Sequence, residues 1–255
     1  MSNILAIAQK ELKSYFSSPI GYILIGFWAF LFGYFYINYV AMFVTNSMRM
    51  AGMGGPQTLN INQDMIRGLL YNVTILVLFI LPGVTMRTYA EEKRSGTIEL
   101  LLTSPITDFQ IIMGKFLGAM ALYCVLLMVT WIHIGLLFVY GNPEWKPVAV
   151  AYVGLLLLGG CFISIGMFVS SLTKNQVVAF MVTFSVFLFF WIINWISTSL
   201  GPTGAAVANY LSIVDHFDDF GKGVIDTTHL IYYLSFITFG LFLTAKSVDS
   251  ERWRG

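Results

Sequence analysis

The side chains able to exchange a proton, hold an ion or grip a partner are few in this sequence: 14 Lys and Arg, 13 Asp and Glu, three His and two Cys among 255 residues. Eight of the charged ones lie in one stretch: Arg87, Glu91, Glu92, Lys93, Arg94, Glu99, Asp108 and Lys115. They enclose an apolar run, Ile98, Leu100, Leu101 and Leu102. Thr97 is placed to cap a helix with Glu99 in its first turn, where the helix dipole favours a negative charge, and Ser104-Pro105 ends it after about two turns. This pattern predicts a short helix over 97–104. Thr107 and Gln110 then fit a capping box, so a second helix should start before the next apolar run. A two-turn helix with charges at its start and an apolar face suits a groove on a partner or the surface of a bilayer. Its chemistry is contact, with no catalysis implied.

The remaining reactive residues offer less. His133 is the one ionisable residue deep inside an apolar stretch, where such groups are functional candidates, but a neutral imidazole also bonds a neighbouring helix. Asp215, His216, Asp218 and Asp219 place four oxygen or nitrogen donors within five residues, yet adjacent ligands rarely converge on one ion, so a solvated acidic loop is expected. Cys124 and Cys161 lie in separate apolar stretches and read as packing residues. Gly114-Lys115 is followed by Phe116 and lacks an upstream glycine, so there is no GxxxxGK[ST] loop and no nucleotide site on this chain. No catalytic, cofactor-binding or metal-ligating residue is assigned.

The elements that must carry these residues are set by composition. The chain is 57% hydrophobic and 11% charged, against about 25% charged for an average soluble domain. A net charge of +1 leaves no basic surface for nucleic acid. Six stretches free of Asp, Glu, Lys and Arg, at about 20–44, 68–86, 116–140, 148–172, 176–197 and 229–245, are long enough to cross a hydrocarbon core of about 30 Å, the sixth being the shortest. None alternates as a barrel strand would. The expected fold is all-α: one six-span membrane domain over 1–255. Ten Lys and Arg fall on the side that holds both termini and four on the other, which places both termini in the cytoplasm. The first apolar run is too long for a signal peptide and should remain in the mature protein. Ahead of it, Ile4, Ala8, Leu12, Tyr15 and Phe16 recur at helical spacing, which predicts an amphipathic interfacial helix that Pro19 interrupts. Gly154, Gly159, Gly160, Ser164 and Gly166 would let neighbouring helices approach the fourth span closely.

EEKRSGTIELLLTSPITDFQIIMGKF resembles the cytoplasmic loop of ABC type-2 transporter permeases, and SSLTKNQVVA (170–179) resembles their short turn between spans four and five. DHFDDFGKGVIDTTHLIYYLSF (215–236) is similar to the last external loop and final span of the branch related to gliding-motility and nitrous-oxide-reductase-maturation exporters. The resemblance implies a half-transporter of the bacterial inner membrane, working with a second permease copy, identical or related, and with separate ATPase subunits that bind ATP and Mg. It gives Glu91, Glu92, Lys93, Arg94, Gly96, Thr97, Glu99, Leu100, Leu101, Thr103, Ser104 and Pro105 the role of a coupling helix that contacts the ATPase. The implied cargo is hydrophobic, lipid-linked or polymeric. The alternative within the family is a motility or maturation complex that passes mechanical work to an extracytoplasmic accessory protein. The alternatives outside it are a membrane enzyme or a scaffold.

Overall fold

The computed structural model describes residues 2–52, 59–102, 105–197, 199 and 201–252, and among these every regular element is helical. In chain order they are α1 (Ser2–Phe16), α2 (Pro19–Gly52), a π-helical segment (Ile61–Ile66) running into α3 (Arg67–Thr85), α4 (Ala90–Ser95), α5 (Ile98–Leu102), α6 (Asp108–Tyr140), α7 (Trp145–Leu172), α8 (Gln176–Ser197), α9 (Pro202–Leu211), α10 (Asp215–Gly221) and α11 (Thr227–Arg252). Six helical runs are long and apolar enough to cross a membrane: α2, the run Ile61–Ser95 that contains α3, α6, α7, α8 and α11.

The helices outrun the charge-free stretches. At 1.5 Å per residue, the 34 residues of α2 span about 51 Å, well beyond a core of about 30 Å. α6 begins at Asp108 because the capping box forms: the Thr107 hydroxyl accepts from the Gln110 N–H and the Gln110 side chain accepts from the Thr107 N–H. α11 has 26 residues, so α8, with 22, is the shortest of the six. Charge-free counting measures the hydrocarbon segment, whereas a helix continues into the headgroup region, where charged side chains reach water.

α7 is the central column. Seventy-two per cent of its apolar window is buried, against 17% for α2 and 22% for α8 and for α11, which therefore turn most of their surface outward. Its small residues each admit a neighbour: Gly154 lies under Phe217 and Phe220 of α10, Gly159 against the Tyr123 ring of α6, Gly160 against Ile237 of α11, and Gly166 against Thr85 of α3. Ser164 meets Gly240 of α11 in the same way. Phe162 and Phe187 stack at 3.7 Å between ring centres and tie α7 to α8.

α1 forms over the expected residues and lies against the bundle. Rather than turning its whole apolar stripe to headgroups, it packs on α6, where a Cβ on Gly114 would come within 2.6 Å of Ile7 and one on Gly118 within 2.6 Å of Glu11. Tyr15 is buried, and its hydroxyl donates to the Val84 carbonyl at 3.0 Å. Beyond α8 the chain folds back. The Ile213 N–H donates to the Phe190 carbonyl at 3.2 Å. Phe190 lies seven residues before the end of α8, so α9 has descended about 10 Å alongside it.

Candidate functional site

The end of the bundle that carries both termini is built around one buried cation. Lys115, on the first turns of α6, has a side chain 1% exposed. Its Nζ donates to Glu11 Oε1 at 2.9 Å, to Glu92 Oε1 at 2.8 Å and to the Thr88 carbonyl at 2.8 Å, and it lies 5.0 Å from the centre of the Tyr89 ring. Lys10 approaches Glu92 at 3.7 Å from the surface. Three ligands satisfy the three donors of an ammonium group, which is what a charge inside a protein requires. α1, α6 and α4 are thus joined at one point.

α4 is held from two more sides. Ser170 of α7 donates its hydroxyl hydrogen to the Met86 carbonyl at 2.9 Å, and its oxygen accepts from the N–H groups of Tyr89 and Ala90, both at 3.1 Å. These are the orphan donors of the first turn of α4, so a side chain from another helix does the work of a cap. Lys93, buried, donates to Glu251 of α11 at 2.5 Å. Arg87 bonds Glu91 at 2.9 Å along the same face.

The residues expected to form a coupling helix are therefore divided. Glu92 and Lys93 point into the protein and anchor the segment. Glu91, Arg94, Gly96, Thr97, Glu99 and Leu100 are exposed, with Leu100 at 72%, while Ile98 is buried. The helix expected over 97–104 is α5 over its described residues, and α4, unforeseen in sequence, precedes it; Gly96, whose φ of +74° lies in the left-handed region that glycine adopts without strain, ends α4 between them. Thr103 and Ser104 lie outside the described residues, as does the side chain of Leu101; Pro105 is exposed beyond them.

The second stretch singled out in sequence, 170–179, comes to the same place. Arg94 faces Thr173, Lys174, Asn175, Gln176 and Val177 across a shallow groove. Its rim combines the exposed cations of Arg94 and Lys174 with exposed Leu172 and Val177. Glu11, Lys115, Ser170 and Glu251 received no role from sequence. A carboxylate at position 11, on the apolar stripe that carries Ile4, Ala8 and Tyr15, and a lysine at 115 within IIMGKF were the available signals.

The opposite end holds a second polar network, and it is not a solvated loop. Residues 215–221 form α10, with His216, Phe217 and Phe220 buried. Phe217 and Phe220 need an apolar neighbour, and Gly154 of α7 provides the room for both. Arg67 of α3 donates to Asp218 at 2.6 Å, Lys222 reaches Asp218 and Asp219 at 2.8 Å each, and Asn194 of α8 donates to Asp215 at 2.9 Å. Burial opposes ionisation of Asp218, but Lys222 and Arg67 outweigh it and hold its carboxyl below the ordinary value. Lys222, then His229, does the same for Asp219. Asp219, Asp226 and His229 bring one ligand atom each within 4.8 Å of one another. Both oxygens of Asp219 take part in this network, Oδ1 accepting from Lys222 and Oδ2 facing Nε2 of His229. The start of the second span is fixed here too, by Asn62, which exchanges hydrogen bonds with the backbone of Glu144 at 2.8 and 2.9 Å. His133, inside α6, has its ring against Phe32 and Tyr36 of α2.

Comparison with known proteins agrees with the helical arrangement. Residues 2–240 match the family model described as ABC-2 family transporter protein. Among curated proteins, the chain is 27% identical over 146 residues to the probable multidrug ABC transporter permease YbhR of Escherichia coli (strain K12), and to the same degree to its counterpart in Escherichia coli O157:H7. The matched part covers 55% of this chain and 38% of those relatives, so the likeness spans well under half their length.

Proposed function

Since the chain belongs to the ABC-2 transporter protein family, we propose that it is the permease subunit of an ATP-driven exporter, with α4, α5 and the α7–α8 turn forming the surface on which a separate ATPase subunit docks. The observation that carries this reading is the contrast between the base of the α4–α5 segment and its tip. The base is tied to α1, α6, α7 and α11 through Glu92, Tyr89, Ala90 and Lys93, while the tip exposes Leu100, Arg94 and Glu99. A segment resting on lipid needs no such anchorage. A segment that transmits force does, because a push at its tip moves the transmembrane helices only through rigid contacts at its base. In this arrangement the termini face the cytoplasm, ATP and Mg are bound by the partner, and two permease copies enclose the transport path. The proposed cargo is hydrophobic or lipid-linked, and the relatives' printed names refer to multidrug transport.

The test is made on the tip. Leu100→Asp and Arg94→Glu are expected to abolish co-purification with the partner ATPase and to reduce ATP turnover in vesicles to that of the ATPase alone. If both variants keep association and turnover, the docking assignment is wrong.

A further inference from the structure

His216 of α10 and His229 of α11 face each other with their Nδ1 atoms 2.6 Å apart. The second nitrogen of each ring is also engaged. Nε2 of His216 lies 2.9 Å from the Tyr210 carbonyl oxygen, and Nε2 of His229 lies 2.9 Å from Oδ2 of Asp219. A carbonyl only accepts, so His216 carries hydrogen on Nε2. Asp219 accepts as well, because Lys222 donates to its other oxygen at 2.8 Å and, with His229, keeps the carboxyl ionised. His229 therefore carries hydrogen on its own Nε2. Between the two Nδ1 atoms one hydrogen must sit: two bare lone pairs at this distance repel, and two N–H groups collide. Three hydrogens on two imidazole rings amount to one positive charge.

We propose that His216 and His229 form a proton-binding latch, which joins α10 to α11 only while the pair holds a single proton. The shared hydrogen lies between the two rings, and Oδ2 of Asp219 faces the positive charge from the far side of His229. Burial disfavours it on His216, whose pKa lies below the ordinary value chiefly for that reason, although the Tyr210 carbonyl acts in the opposite sense. Every packed element contributes a group. α10 supplies Asp215 and Asp219, and Lys222 follows it. The α10–α11 connection supplies Asp226, and α3 supplies Arg67 through Asp218. α11 supplies the Tyr232 ring, stacked on His216 at 3.7 Å. Removing the proton breaks one bond in the chain Tyr210–His216–His229–Asp219; adding a second drives the two Nδ1–H groups apart.

This gives an unusual pH signature. In the unfolded chain both rings titrate near ~6.5, so it holds two protons on them below that pH and none above, while the folded pair holds one. Stability rises with pH where the unfolded state binds more protons and falls where it binds fewer. The pair's contribution is thus greatest near ~6.5 and decreases on either side, by up to tenfold in the folding equilibrium constant per pH unit. The latch depends neither on an ATPase nor on transport.

The experiment follows unfolding of the full chain in detergent between about pH 5 and 8, the range in which imidazole changes charge. Wild type is expected to show the maximum. His229→Gln should lose the alkaline fall, and His133→Gln, altering the third histidine, should retain it. An alkaline fall that persists in His229→Gln overturns the latch. Should His229→Gln fail to fold, imidazole nitrogen-15 spectra of wild type near ~6.5 decide: one bare nitrogen in the pair supports the latch, and two overturn it.

Discussion

Lys115 is the residue on which the termini end of the bundle depends. Its ammonium group and the carboxylates of Glu11 and Glu92 are mutually compensated, with Lys10 completing the balance. Removing one partner of a buried ion pair leaves the others charged in a low dielectric and typically costs about 3–5 kcal/mol. Lys115→Met should cost that much, and Glu11→Gln less, because Glu92 still neutralises the lysine. Chemical denaturation of the detergent-solubilised chain measures both, and equal losses would show that Glu92 does not share the charge. Sequence grouped Lys115 with the charged residues of one stretch but could not show its burial. Its partners lie 104 and 23 residues away, and nothing in a linear pattern pairs residues across separate helices.

Helix type was readable from composition alone, and so was the small-residue face of α7. What composition does not contain is which neighbour meets each glycine, and on that the energetics turn. Gly159 and Gly160 are adjacent yet not equivalent. A Cβ on Gly160 would meet Ile237 Cδ1 at 2.8 Å, the end of a side chain able to rotate away. A Cβ on Gly159 would collide with the Tyr123 ring, which is held by its hydroxyl bond to the Leu155 carbonyl at 2.9 Å and by edge contact with Trp28. Overpacking costs about 1–3 kcal/mol when neighbours must shift. Gly159→Ala should fall in that range and Gly160→Ala well below it, read as thermal midpoints in the same detergent; the reverse order would mean that α6 and α11 do not border α7 as described. Helix ends were less legible for a related reason. Charged residues mark where hydrocarbon stops, and α6 starts eight residues before its charge-free stretch because Thr107 caps it there.

Six crossing helices place α4 and α5 at the same end as both termini, with α10 at the other, and α11 connects the two networks: His229 near its start contacts Asp219, and Glu251 near its end holds Lys93. The docking proposal puts the first end in the cytoplasm, the side expected from the distribution of Lys and Arg, since ATP is available only there. Accessibility tests it without any partner. Ser95 and Val224 are exposed at opposite ends, Val224 at 52%. Cys161 is fully buried, and Cys124 can be replaced by Ala to silence the background. A membrane-impermeant maleimide applied to intact cells should label Val224→Cys and spare Ser95→Cys until the membrane is permeabilised. Labelling of Ser95→Cys from outside would invert the molecule and remove the ATPase from reach of Leu100. The proton latch would then face the cytoplasm, where a nearly constant pH would leave His216 and His229 little to sense.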